Sequence, residues 1–94
     1  MAEQQIKISF DEKMLGGNYS NFALISHSEN EFVIDFIFAH PPAGKVVSRM
    51  ILSPSHAKSF LKALHENINN YEKKFGPIKE QTQTPKFGIN IQKN

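Results

Sequence analysis

The stretch from Ser53 to Phe75 constrains the chain most, because both of its ends are written in the sequence. Ser53-Pro54 opens a helix: the serine hydroxyl accepts an orphan backbone N–H, and proline at the first helical position has no N–H to leave unpaired. Gly76-Pro77 closes it, since glycine takes a left-handed cap without steric cost and proline cannot continue the hydrogen-bond pattern. Between these signals Ala57, Phe60, Leu61, Leu64, Ile68, Tyr71 and Phe75 recur at helical spacing, in a stripe about 100° wide. Such a stripe needs a surface to cover. The expectation is a helix lying as a lid across one face of a sheet.

The sheet is read from the segments before it. Ile6, Ile8 and Phe10 alternate with Lys7 and Ser9, the period-two pattern of a half-buried strand. Asp11 to Asn18 reads as a loop, its Gly16-Gly17-Asn18 supplying residues that tolerate positive φ. Tyr19 to Ser28 holds Phe22, Ala23, Leu24 and Ile25, a second strand, followed by a turn at Ser28-Glu29-Asn30. A two-residue and a three-residue turn put Phe22 and Leu24 on opposite faces, and the residues leave both registers open. Phe32 to Ala39 alternates throughout: Phe32, Ile34, Phe36 and Phe38 on one side, Val33, Asp35, Ile37 and Ala39 on the other. Pro41 and Pro42 cannot donate to a ladder, so residues 40–44 connect it to a fourth strand, Lys45 to Leu52.

Centring that hairpin on the two prolines pairs Phe38 with Val46, Ile34 with Met50 and Phe32 with Leu52. On the opposite face it pairs Ile37 with Val47 and Val33 with Ile51, and sets Asp35 against Arg49, the chain's one arginine. The fold expected is α+β: a four-stranded antiparallel β-meander covered on one face by a single long C-terminal helix. Residues 1–4 form a loose N-terminus, 5–76 the domain and 77–94 a polar tail read first as flexible, in which Phe87-Gly88-Ile89-Asn90-Ile91 is the alternative candidate for an added edge strand or a partner contact. One helix covers one face. Val33, Asp35, Ile37, Val47, Arg49 and Ile51 are left on the other, and an apolar surface of that size marks an interface.

Candidates for chemistry are weak. His56 and His65 stand nine positions apart on the helix and look in different directions, while His27 and His40 fall at opposite strand ends, so no metal site is expected. Ser53-Pro54-Ser55-His56 is explained by the helix start and lacks the surrounding glycines of a nucleophile elbow. Asp11 and Glu12 are adjacent in a loop, with no sign of the burial that would split their roles. Gly16-Gly17-Asn18-Tyr19-Ser20-Asn21 resembles a phosphate-cradling loop in composition, yet it lacks the Lys-Ser/Thr pair and leads into a strand rather than a helix N-terminus. No catalytic residue and no cofactor are expected, and the chain reads as a non-enzyme.

Charge and composition narrow the partners. Eleven basic and nine acidic residues give a net charge of +2, too mild to demand nucleic acid. Lys58, Lys62 and Lys73 are interrupted by Glu66 and Glu72 and read first as a solvated face, with nucleic-acid binding through these lysines and the tail as an alternative. Cysteine is absent, which excludes disulfides and thiolate metal sites. The polar start is unlike a secretory signal and no apolar run approaches the ~20 residues of a membrane span, so a cytoplasmic location is expected.

Three segments carry a resemblance: Leu15-Gly16-Gly17-Asn18-Tyr19-Ser20-Asn21, Glu31-Phe32-Val33-Ile34-Asp35-Phe36, and Arg49-Met50-Ile51-Leu52-Ser53-Pro54-Ser55-His56-Ala57-Lys58. Over residues 5–78 the chain resembles a small bacterial and archaeal family known only as a domain of unknown function. The resemblance transfers no catalytic residue. It implies an accessory role in transcription, with RNA polymerase as the partner. The sheet-plus-helix outline is also similar to SecB-type export chaperones, in shape alone. The reading is a non-catalytic protein-interaction module, either a homodimer or a subunit of a larger complex. The alternatives are a SecB-like oligomeric chaperone and a nucleic-acid-binding protein.

Overall fold

A computed structural model describes residues 4–80. Its elements run in the order 3₁₀ turn Glu12–Met14, β1 Phe22–His27, β2 Phe32–His40, β3 Ala43–Leu52 and α1 Pro54–Phe75. The strands form one antiparallel sheet in the order β1-β2-β3, a meander with β2 at its centre. The architecture is α+β, with three strands and one helix among the described residues.

The expected strand at residues 6–10 is a correction. Ile6, Ile8 and Phe10 lie outside any ladder, and the first two are more than 80% exposed. Alternation gives a segment a face, but a strand is held by a neighbour's hydrogen bonds, and this segment has none among the described residues. The segment 87–91 lies outside the described residues.

The open register of β1 resolves. Phe22 pairs with Ile37, Leu24 with Asp35 and Ser26 with Val33, across a loop closed by the Ser28 N–H donating to the Glu31 carbonyl at 2.9 Å. Phe22 and Leu24 therefore share the face of Asp35.

The β2–β3 hairpin is as expected at one end and shifted at the other. Phe32 pairs with Leu52, Val33 with Ile51, Ile34 with Met50 and Asp35 with Arg49. Beyond Phe36 a bulge intervenes, so Ile37 faces Val46 and Phe38 faces Lys45, in place of the expected Val47 and Val46. The cause lies at the turn. His40 pairs with Ala43, so Pro41 and Pro42, joined by a cis peptide bond, are the whole connection. That tight turn and the far-end register differ by one residue, and the bulge at Val47 absorbs it. Gly44 opposite Ala39 permits the close approach: a Cβ there would stand 3.1 Å from the Ala39 Cα and 3.2 Å from the Phe38 carbonyl oxygen.

The helix is bounded as the sequence expects. The Ser53 hydroxyl accepts from the His56 N–H at 3.2 Å, and Gly76, at φ +95°, donates its N–H to the Glu72 carbonyl at 2.9 Å. Its placement is not that of a lid. None of its residues is buried, only Ala57 and Glu72 are half-buried, and it forms no extensive contact with any strand. A single residue, Ser53, separates β3 from α1, which leaves little chain to turn the helix back over the sheet. The buried core among the described residues is Ile34, Ala39 and Leu52.

Candidate interaction surface

The pairing sorts the sheet into two faces. Phe32, Ile34, Phe36, Phe38, Met50, Leu52 and Ile25 share one; Val33, Asp35, Ile37, Arg49, Ile51, Phe22, Leu24 and Val46 share the other. The first face holds Ile34 and Leu52, two of the three buried side chains, with Phe32 half-buried beside His27, whose ring stacks on it at 5.5 Å. Tyr19, in the loop before β1, meets Phe38 edge-on at 6.0 Å.

On the second face Val33, Asp35 and Ile37 are half-buried along β2, and Arg49 and Ile51 are exposed on β3. Of the residues expected there, Val33, Asp35, Ile37, Arg49 and Ile51 come together by register. Val47 is the bulged residue without a pairing partner, and Val46 takes the place opposite Ile37. Sequence reasoning missed Val46, Phe22 and Leu24. The bulge and the length of the 28–31 loop decide their side, and neither has a period to read.

Asp35 and Arg49 form a two-pronged pair at the middle of this face. Arg49 Nε donates to Asp35 Oδ1 at 2.6 Å and Nη2 donates to Oδ2 at 2.9 Å, the fork geometry that suits a carboxylate. The hydrogen bonds from Arg49 hold the Asp35 carboxyl below the ordinary carboxylate value, with the guanidinium charge adding to the effect and desolvation opposing it. The same bonds raise Arg49. The pair aligns two strands and neutralises a charge within an apolar surface.

Asn21, expected within the strand Tyr19 to Ser28, lies just before β1, and its side chain completes the sheet: Nδ2 donates to the Ala39 carbonyl at 2.8 Å, and Oδ1 accepts from the Ala39 N–H at 2.9 Å. Its own N–H donates to the Ile37 carbonyl at 3.0 Å. The carboxamide acts as an extra peptide unit that extends the β1–β2 ladder.

The four histidines are spread over β1, the end of β2 and α1. The described residues bring no three of the His, Cys, Asp and Glu side chains into a cluster. Lys58, Leu61, Lys62 and His65 border a shallow hollow on the helix. No helix among the described residues is long and apolar enough to cross a membrane.

The family model described as "Protein of unknown function (DUF3467)" matches residues 1–80. No curated protein and no solved structure matches the chain.

Proposed function

We propose, from the premise that the chain belongs to the DUF3467 family of proteins of unknown function, that it is a non-catalytic protein-interaction module, an accessory subunit of a larger complex. One observation carries the reading: large apolar side chains stand open on both the sheet and the helix, while among the described residues three are buried. Monomeric proteins rarely expose contiguous apolar surface on this scale, and where they do it marks a binding site. The docking surface for the partner is the Asp35 face, where Val33, Ile37, Val46 and Ile51 surround the neutralised pair. An apolar centre holding a matched ion pair suits a protein surface of similar make-up. The complex implied by the family resemblance is the transcription machinery, with RNA polymerase as the partner to look for; its support is that resemblance and no residue of the chain.

The test is capture from native cells by the parent chain and by Val33→Glu/Ile51→Glu. The parent should retain a defined partner that the double variant loses, with the helical circular dichroism unchanged. Equal retention by both would sink the assignment of the face. Retention of many unrelated unfolded chains in place of one partner would give the same surface to a SecB-like holding role.

A further inference from the structure

The apolar stripe of α1 repeats on a stricter period than amphipathicity requires. Ala57, Leu61, Leu64, Ile68, Tyr71 and Phe75 are spaced four, three, four, three and four residues apart. This is the 3.5-residue repeat of a coiled-coil seam, which a helix resting on a broad sheet has no need to keep. The seam is open. Leu61 and Phe75 are each 66% exposed, and no helix residue is buried. A seam of this period takes another helix, and α1 is the one α-helix among the described residues. We infer that α1 pairs with α1 of a second copy of this chain, antiparallel, about a two-fold axis near Glu66. The inference deepens the reading of the chain as an interaction module and rests on it.

The side chains choose the orientation. Antiparallel pairing sets Leu64 against Ile68, Leu61 against Tyr71 and the small Ala57 against the large Phe75, so the layers fill evenly. Parallel pairing would stack Phe75 on Phe75 and Ala57 on Ala57. Along the flanks of the seam run Lys58, His65 and Glu72 on one side and Phe60, Asn67 and Lys74 on the other. In the antiparallel arrangement Lys58 of each copy faces Glu72 of the other, and Lys74 faces the ring of Phe60. A parallel pair places no opposite charges across these flanks. Among the described residues the ion pair within the chain is Asp35–Arg49, so Lys58 and Glu72 have no partner of opposite charge there.

The area suffices. The exposed parts of Phe60, Leu61, Leu64, Ile68, Tyr71 and Phe75 amount to about three whole side chains, roughly 600 Å² at about 200 Å² each. The stems of Lys58 and Lys74 bring this towards the ~800 Å² per partner of a standard interface.

The absence of cysteine makes the test clean. The full chain should sediment as a dimer, and Asn67→Cys, beside the axis, should cross-link to itself under mild oxidation. Phe75→Cys should not, because the axis carries the two copies of that position to opposite ends. Cross-linking through Phe75→Cys without Asn67→Cys would show a parallel pair and overturn the inference; so would a folded monomer at all concentrations. Lys58→Glu and Glu72→Lys should each weaken the dimer several-fold at low salt, and the double reversal should restore it. Single reversals without effect, read beside unchanged circular dichroism, would also overturn it. A folded monomer that still captures its partner through the Asp35 face would leave the proposed function standing and remove the homodimer alone.

Discussion

Asn21 shows how much a single amide can hold. It saturates both the N–H and the C=O of Ala39, a buried residue of the central strand. Asn21→Ala strips two hydrogen bonds from that backbone and should cost about 1–3 kcal/mol, read as a lower midpoint in urea unfolding. Asn21→Asp should fail to rescue, since it replaces the donor to the Ala39 carbonyl with a second acceptor. Asp35 makes a different prediction. Arg49 depresses its carboxyl below the ordinary value of 3.8, so the stabilisation is fully present above that value and is lost as pH falls below it, through the folded-state value. The midpoint difference between parent and Asp35→Asn should therefore close as acid is added, and a gap independent of pH would refute it. Added salt should narrow the gap too, because the Arg49 side chain is 63% exposed. The sequence revealed one of these residues and hid the other. Asp35 and Arg49 face each other at positions a hairpin register can compute. Asn21 grips a strand eighteen residues later, and nothing local to it distinguishes a ladder extension from a turn.

At the scale of elements, legibility followed local chemistry. The helix ends were readable because capping uses residues within a turn of each end: Ser53 binds the N–H three positions on, and Gly76 supplies the positive φ. The antiparallel order and the Phe32-to-Asp35 register were readable from alternation. The strand expected at residues 6–10 and the lid were not, because each concerns what an apolar face is packed against, and a period names a face without naming its cover. The hairpin bulge escaped for a related reason: it reconciles a turn with a register, and either alone looks complete. Gly44→Ala tests that hairpin. The new methyl meets backbone atoms of Phe38 and Ala39, which the ladder holds in place, so a loss of about 1–3 kcal/mol is expected from overpacking. A midpoint unchanged from the parent would mean that the strands have room to part.

At the scale of the molecule the chain is short of interior. Ile34, Ala39 and Leu52 are its buried residues among those described, while α1 holds its stripe outside. Chain entropy of about 1–2 kcal/mol per residue is not offset by so small a core. On the proposed association the partner completes that core, and the thermal midpoint should rise with protein concentration, by about 2.7 kcal/mol of apparent stability for a hundredfold increase in a binding partner. Scans over that range, read as midpoint against concentration, decide it; a constant midpoint would show that the lone chain is self-sufficient.

The small core of the described residues also has a meaning for supply. A subunit that finishes its interior only on meeting its counterpart has little protection while it waits, since proteases act on open forms in proportion to their population. On the proposed assembly, copies made in excess of their counterparts should be the ones degraded, and assembled copies spared. Abundance would thereby be matched to demand without a dedicated regulator, by the same shortage of buried side chains that leaves the helix bare.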